Sequence, residues 1–175
     1  MTRLAAAAAV FASLGASLVA LPAAAAPPPK VSIASYAQLK TPLPYPYDEK
    51  ADATAQVDRA VARAKATKKR VLIKMGGNWC GDCRILQATM DLPEMKTYLN
   101  RHFEMVSIDV GRMDKNLQVP ARYGVKDKLE GVPAILVVDP ASGKQLVARA
   151  DVAALADARH MTPQALADWL AKYTR

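Results

Sequence analysis

Apolar residues recur along this chain at helical spacing in some segments and in unbroken runs in others. Between residues 53 and 64, small apolar side chains keep one helical stripe, which predicts an amphipathic helix capped by Asp52 that ends near Thr67. The unbroken apolar run at 71–73 predicts a buried strand over 70–75. The same patterns predict helices over 80–90, 94–102 and 116–123, strands over 103–110, 134–138 and 145–149, and a closing helix capped by Thr162. Strands that alternate with helices before a final hairpin are typical of βαβ units in an α/β fold.

The first 25 residues have the composition of a secretory signal peptide. A single positive charge, Arg3, precedes an apolar run at 4–21, and small residues follow at 23–26. We predict cleavage after Ala25, which makes residues 1–25 the signal peptide and places the protein in the periplasm or outside the cell. The alternative is an uncleaved membrane anchor, because the run is about long enough to span a bilayer. The run is mostly alanine, which is only weakly apolar, and this favours the signal peptide.

Residues 26–50 form a proline-rich leader, and residues 51–175 suit one domain with one hydrophobic core. Proline fixes φ and removes a backbone donor, so the leader is predicted to be extended, with at most a short strand at 31–33. Three tyrosines stand among the prolines, Tyr36, Tyr45 and Tyr47. They predict that the later part of the leader lies against the domain.

The chain carries a net charge of +8. A basic balance favours nucleic acid or a membrane surface as a partner. Here the basic residues are scattered, and the densest run, at 68–70, falls at the end of the first predicted helix, where cations complement the helix dipole. An exported protein rarely meets nucleic acid, so we expect no nucleic-acid partner.

The candidate chemistry lies at the only two cysteines of the chain, Cys80 and Cys83. Two residues separate them, so both fall within the first turn of the helix predicted over 80–90. Unpaired N–H groups at a helix N-terminus stabilise a thiolate, and the thiol pKa in such motifs falls from about 8.5 to about 3.5–7.5. Cys80 then supplies a nucleophile, and Cys83 a thiol that can close a disulfide with it.

Two other uses of the cysteine pair are less favoured. A structural disulfide stabilises more as the loop that it closes grows, and a bridge over two residues closes almost none. A closed zinc site needs four ligands, and the two histidines, His102 and His160, show no ligand spacing. We therefore expect redox chemistry, with no metal and no cofactor.

The chain resembles the thioredoxin family over residues 52–173. Three landmarks carry the resemblance in the family's order: an apolar strand leading into Trp-Cys-Gly-Asp-Cys at 79–83, a helix-ending segment at 121–125, and Gly-Val-Pro at 131–133 followed by an apolar strand and a glycine turn. A C-x-x-C motif beside a βαβ pattern points the same way. The resemblance implies a thioredoxin-like α/β fold, with a central mixed β-sheet flanked by helices.

The resemblance also implies roles for individual residues. In the family, the proline that matches Pro133 is cis and faces the two cysteines. The residue before it, here Val132, exposes its backbone and pairs with a substrate segment. Trp79 packs beside the active site in the family, and Gly81 lies between the two cysteines. The implied substrate-binding residues are therefore Val132 and Pro133.

Three positions depart from the family pattern. Asp82 replaces the usual proline between the cysteines, and its carboxylate is expected to raise the thiol pKa and make the pair more reducing. Lys74 stands where the family has a buried acid that assists proton transfer. Its ammonium is expected to stabilise a thiolate. Lys74 can take over proton transfer only if its pKa is lowered. The alternative is a strand residue whose charged end snorkels to water. Residues 126–130 look like an insertion beside the substrate groove, which either selects partners or is an ordinary long loop.

These features together predict an exported thiol–disulfide oxidoreductase that cycles Cys80 and Cys83 between dithiol and disulfide. We expect protein disulfides as substrates, a membrane or periplasmic electron donor, a monomeric protein, and reduction as the favoured direction. One alternative is a peptide- or protein-binding module on the same fold with a non-cycling disulfide. Another is a peroxide-reducing enzyme, for which the sequence offers no clear activating groups.

Overall fold

The computed structural model describes residues 25–174. The predicted signal peptide lies outside the described residues except for Ala25. Within 25–174, no helix combines the length and the apolar character needed to cross a membrane.

The fold is built on a mixed sheet with β1 at its centre. The elements of the described chain are helices α1 (Ala53–Thr67), α2 (Gly81–Met90), α3 (Pro93–His102), α4 (Gln118–Arg122) and α5 (Pro163–Ala171), and strands β1 (Arg70–Gly76), β2 (Phe103–Asp109) and β3 (Ala134–Val138). The strand order is β2-β1-β3. β1 runs parallel to β2 and antiparallel to β3. This arrangement confirms the predicted α/β class.

The first helix forms where the apolar stripe predicts it. The Asp52 carboxylate caps the helix by accepting a hydrogen bond of 3.0 Å from the Ala55 N–H. Lys68 ends it in a left-handed conformation, with φ of 56°. The stripe of Val57, Ala60 and Ala64 is buried, and α1 contacts both β1 and β2. Burial of this stripe therefore fixes the helix against the sheet.

The central strand delivers the cysteine motif. Residues 71–76 of β1 and all of β3 are buried, which agrees with their mainly apolar sequences, and Lys74 is the one charged residue among them. β1 ends at Gly76, and the short loop that follows carries the chain to Cys80, the N-cap of α2. The predicted positions of β1, β2, β3, α2 and α3 agree with the structure to within about two residues.

The predicted strand over 145–149 is wrong. Only Gln145 pairs with the sheet, through an isolated bridge to Val138, and Arg149–Asp151 is a 3₁₀ turn. The chain turns away because the next segment places apolar side chains in the core, and its Val152 carbonyl accepts a hydrogen bond of 2.8 Å from the Ile135 N–H of β3. The edge of β3 is thus covered by a series of turns, in place of a hairpin strand.

Two other predicted elements differ in the structure: one is shorter and one is absent. The helix expected over 116–123 is limited to α4, since Asn116 takes a left-handed conformation with φ of 55° just before it. The short strand considered at 31–33 does not form. There the Val31 N–H donates a 3.0 Å hydrogen bond to the Gln164 side chain, where a strand would need a neighbouring backbone.

The proline-rich leader lies against the domain. Its buried side chains are Val31, Leu39 and Tyr47. The Arg84 guanidinium of α2 donates hydrogen bonds to the carbonyl oxygens of Leu43 and Pro44, at 2.7 and 3.1 Å. The leader is not extended throughout, because Tyr36–Gln38 forms a 3₁₀ turn capped by Ser35. Its later part crosses the helix that carries the cysteines.

Candidate active site

The two cysteines form a disulfide at the N-terminus of α2. Cys80 is the N-cap, and its Sγ accepts a hydrogen bond of 3.1 Å from the Cys83 N–H. Only 5% of Cys80 and 1% of Cys83 are exposed, so Cys80 is the more accessible sulfur. The helix N-terminus therefore offers a backbone donor to the sulfur that would become a thiolate on reduction.

The Gly-Val-Pro segment faces this disulfide. The peptide bond between Val132 and Pro133 is cis. The Val132 carbonyl oxygen lies 3.4 Å from Sγ of Cys80. Folding thus brings together two motifs that are about fifty residues apart in sequence, and it places a backbone acceptor beside the more exposed sulfur.

Trp79 forms an exposed rim next to Cys80. Its relative exposure is 48%, and its Nε1–H donates a 2.8 Å hydrogen bond to the Gly111 carbonyl oxygen. The Arg112 guanidinium stacks 4.8 Å above the ring. A Cβ on Gly77 would lie 2.5 Å from Nε1, so glycine there leaves room for the indole. The indole is held in place while much of its surface stays open to a partner.

The Asp82 carboxylate is paired with Arg159, a residue that the sequence reasoning did not identify. The Arg159 side chain donates to both carboxylate oxygens at 2.7–3.1 Å, and its backbone N–H donates at 2.8 Å. Burial alone would raise the pKa of Asp82, but the hydrogen bonds and charge of Arg159 lower it. The carboxylate is therefore ionised and neutralised by a guanidinium, which weakens the repulsion of a thiolate expected from Asp82 alone.

Gly81 leaves room for this ion pair. A Cβ at position 81 would lie 3.2 Å from Nη2 of Arg159, so the guanidinium passes directly over the turn between the two cysteines. Arg159 approaches from a 3₁₀ turn, Ala158–His160, that contacts α2. Its side chain is half-exposed, so a positive group lies at the rim of the disulfide.

Lys74 is buried and does not snorkel to water, contrary to one of the alternatives above. Only 3% of it is exposed, and its Nζ donates to Oε1 of Gln87 on α2. Gln87 in turn donates 2.9 Å to the Asp91 carboxylate. Burial lowers the pKa of Lys74 to about 8, against the opposing charge of Asp91. Gln87 lies one helical turn beyond Cys83, so the ammonium is held farther along α2 than the disulfide.

The burial of Lys74 predicts a pH-dependent stability. Because the folded pKa of about 8 lies below the usual 10.5, the folded state binds fewer protons than the unfolded state between these values. The free energy of unfolding should therefore rise with pH across this window, by up to roughly 3 kcal/mol relative to Lys74→Met. Urea denaturation of both oxidised proteins from pH 7 to pH 10.5 measures the difference.

A second lysine controls for the loss of charge alone. Lys96 is exposed on α3, so Lys96→Met removes the same charge from solvent and should keep the wild-type slope. Parallel pH profiles for the wild type and Lys74→Met would show instead that the Lys74 ammonium is hydrated in solution.

Two leader tyrosines reach the cysteine helix and were not assigned to the site from the sequence. Only 4% of Tyr47 is exposed, and the pKa of Tyr36 is raised to about 12 by burial and then by the charge of Asp82. Burial, followed by the charge of Asp109, raises the pKa of Tyr47 further. Neither hydroxyl has a hydrogen-bond partner within the described residues. The only signal in the sequence was the presence of tyrosines among the leader prolines.

The segment 126–130 is anchored to its surroundings. Leu129 is buried, with 2% of its surface exposed, and Glu130 forms a 3.2 Å ion pair with Arg149. It leads directly into Gly131, at the start of the cis-proline segment. Within residues 25–174, no group of three or more His, Cys, Asp or Glu side chains is placed to hold a metal ion.

Comparison with known proteins agrees with this geometry. A family described as thioredoxin-like matches residues 52–140. A crystal structure described as a disulphide isomerase from Xylella fastidiosa Temecula1 shares 41% sequence identity, covers 74% of this chain and 97% of its own, and superposes with a TM-score of 0.66. A structure described as DsbH oxidoreductase shares 25% identity over 51% of this chain and 65% of its own, with a TM-score of 0.41. No curated protein matches the chain.

The family match includes β1, the cysteine motif, the cis-proline segment and β3, which are the elements that build the site. The Xylella structure extends the similarity over nearly its whole length. The chain belongs to the thioredoxin-like family.

Proposed function

We propose that this protein is an exported thiol–disulfide oxidoreductase that reduces protein disulfides. The observation that carries the proposal is the Cys80–Cys83 disulfide at the N-terminus of α2, facing the Val132–Pro133 segment. The similarity to a protein described as a disulphide isomerase supports it, because isomerisation and reduction both begin with a thiolate attacking a substrate disulfide.

The catalytic roles follow from the exposure of the two sulfurs. Cys80 is the more exposed, and the Cys83 N–H already donates to its Sγ, so Cys80 attacks as the thiolate. One substrate sulfur leaves with the electron pair, and a mixed disulfide with Cys80 forms. Cys83 then attacks Cys80, which releases the second substrate sulfur and closes the Cys80–Cys83 disulfide. Two electrons have passed from the protein to the substrate.

The substrate is proposed to lie along the Val132–Pro133 segment. The Val132 carbonyl faces Cys80, so a peptide that pairs with this backbone would place its disulfide beside the nucleophile. Trp79 would contact the peptide from the opposite rim, since about half of its surface is exposed. Gly81 and the Asp82–Arg159 pair would border the same opening.

The proposed location is the periplasm, after removal of residues 1–25. The sequence of the first 25 residues supports export, and the similarity to a bacterial protein described as a disulphide isomerase is consistent with it. A periplasmic or membrane electron donor would return the disulfide to the dithiol after each turnover, and the protein would act as a monomer.

The reduction potential tests this function. We expect the mature protein, recovered from the periplasm with Ala26 as its first residue, to equilibrate with thiol buffers at about −200 to −270 mV, a range suited to a reductant. A value near −120 mV would indicate an oxidant. A value below about −300 mV would favour a binding module with a non-cycling disulfide. Mass measurement of the same sample checks the N-terminus.

A further inference from the structure

The leader places one hydroxyl near the buried sulfur of the motif. A Cβ on Gly76 would lie 2.5 Å from the Tyr47 hydroxyl oxygen and 2.6 Å from Sγ of Cys83. The oxygen and the sulfur are therefore no farther apart than the sum of these two distances. Both atoms border the space that glycine leaves at the end of β1.

Tyr47 is held in this place by the residue that precedes the motif. The Asn78 side chain accepts a 3.1 Å hydrogen bond from the Tyr47 N–H and donates one of 2.9 Å to the Tyr47 carbonyl oxygen. Asn78 is two residues before Cys80. The backbone of Tyr47 is thus clamped to the active-site loop, and its ring points inward to the core.

The hydroxyl lacks a hydrogen-bond partner within the described residues while the disulfide is closed. An unpaired buried hydroxyl is costly, so it gains from any acceptor that comes within reach. The nearby Asp109 carboxylate accepts a 3.1 Å hydrogen bond from the Gly111 N–H at Oδ1 and forms an ion pair with Lys115 at Oδ2. Oδ2, like the Tyr47 hydroxyl, makes no hydrogen bond within the described residues, so Asp109 is a competing acceptor that is present in both redox states. The acceptor that changes during the reaction is Sγ of Cys83, which gains negative charge when the disulfide opens.

We propose that Tyr47 is a positioning residue whose hydroxyl donates a hydrogen bond to Sγ of Cys83 in the reduced protein. The hydroxyl remains a donor throughout, because burial keeps it neutral, and it does not take the proton of Cys83. When Cys83 attacks the mixed disulfide, its thiol proton leaves to solvent and the hydrogen bond holds the thiolate. The sulfur–sulfur bond to the substrate breaks as the Cys80–Cys83 bond forms, so the electrons balance as in the proposed cycle.

This inference rests on the proposed function. Two measurements distinguish a failure of the role proposed for Tyr47 from a failure of the proposed redox cycle. The first is the equilibrium of the full mature protein with reduced and oxidised glutathione. Tyr47→Phe should favour the disulfide about tenfold, which corresponds to a potential about 30 mV more negative. The reason is that the variant loses a donor to the dithiol and removes an unpaired hydroxyl from the disulfide form.

The second readout is the ionisation of Cys83 alone, followed by thiolate absorbance in Cys80→Ser. Adding Tyr47→Phe to this variant should raise the pKa of Cys83 by about one unit, the same tenfold effect. A hydroxyl that acted only in packing would leave this pKa unchanged. Tyr47→Phe loses no hydrogen bond that the oxidised structure contains, so the variant should fold.

Tyr36→Phe is the matched control. Its hydroxyl is also buried and unpartnered among the described residues, but it lies near Asp82. It should change the glutathione equilibrium by less than about twofold, below 10 mV. An unchanged equilibrium in Tyr47→Phe, or the same shift in Tyr36→Phe, would overturn the role of Tyr47 while the cycling function stands. A wild-type pair that does not exchange with glutathione would overturn both proposals.

Discussion

Cys80→Ser should abolish the reduction of a peptide disulfide. Serine keeps the size of the side chain but has no ionised form at neutral pH, and the helix N-terminus cannot make an alcohol a comparable nucleophile. The expected loss in rate is about a thousandfold or more, roughly 4 kcal/mol of transition-state free energy. Single-turnover reduction by the pre-reduced protein measures it without the need for the natural electron donor.

Cys83→Ser is the matched control, because it removes the other sulfur and leaves the nucleophile. This variant should attack the substrate but fail to release it, so that a mixed disulfide with Cys80 accumulates and is seen as an added mass. Both variants lose the same disulfide, and the short loop that it closes means that stability changes little in either. A difference between them therefore reports on chemistry and not on folding.

The opposite pattern would exclude the proposed roles. If Cys80→Ser kept activity within about tenfold of the wild type, 1.4 kcal/mol, another group would be the nucleophile. If Cys83→Ser trapped nothing while Cys80→Ser trapped substrate, the order of attack would be reversed. In that case the lower exposure of Cys83 would not decide which sulfur meets the substrate.

Local patterns in the sequence were sufficient for the elements that hold the site. The helical stripe of α1 and its Asp52 cap, the apolar run of β1, and the Thr162 cap of α5 each depend on residues close together in the chain. The cysteine spacing likewise fixed both sulfurs at one helix N-terminus. These features follow from short-range spacing and capping, so they can be predicted without knowing the path of the chain.

Contacts between distant segments could not be predicted in this way. Arg159 reaches Asp82 across 77 residues, and it does so from a turn between the strand predicted over 145–149 and the closing helix, where the sequence pattern predicted no element. Tyr47 reaches Cys83 from a proline-rich leader, whose composition resembles that of a linker. In both cases the partner is set by the route of irregular segments, which has no periodic signal.

These contacts change the electrostatic argument made from the sequence. Asp82 and Lys74 were expected to act on the thiols in opposite directions. The structure pairs Asp82 with Arg159, and it pairs Lys74 with Gln87, deeper along α2. Arg159 neutralises the Asp82 carboxylate, whereas the Gln87 amide carries no charge and leaves the Lys74 ammonium uncompensated, so of the two opposed effects the one from Asp82 is weakened. The groups closest to Sγ of Cys80 are the N–H of Cys83 and the carbonyl oxygen of Val132, and the Tyr47 hydroxyl lies near Sγ of Cys83.

Gly76→Ala should destabilise the oxidised protein by about 1–3 kcal/mol. The backbone of Gly76 lies outside the left-handed region, so alanine fits the local conformation and, in open space, would stabilise by about 0.4–1 kcal/mol. The new methyl group would instead lie 2.5 Å from the Tyr47 hydroxyl oxygen and 2.6 Å from Sγ of Cys83. Thus the sign of the change, measured by urea denaturation, reports directly on this contact.

Gly81→Ala is the matched glycine control, since the nearest atom to its Cβ, at 3.2 Å, is the end of the flexible Arg159 side chain. That atom can shift, and alanine favours the first turn of α2, so stability should fall by less than about 0.5 kcal/mol or rise.

Tyr47→Phe should relieve part of the cost of Gly76→Ala, because it removes the oxygen and leaves the ring carbon at 2.9 Å. We expect a coupling energy of about 0.5–2 kcal/mol in the double-mutant cycle.

The outcomes of this double-mutant cycle show whether the Tyr47 hydroxyl, Sγ of Cys83 or neither lies beside position 76. A destabilised Gly76→Ala without coupling to Tyr47→Phe would place the clash on Cys83 alone, and the tyrosine away from the sulfur. A stabilised Gly76→Ala would mean that neither group occupies this space in solution. In that case the leader would lie elsewhere, as an unattached tail would. Sγ of Cys83 would then contact only residues of the domain itself.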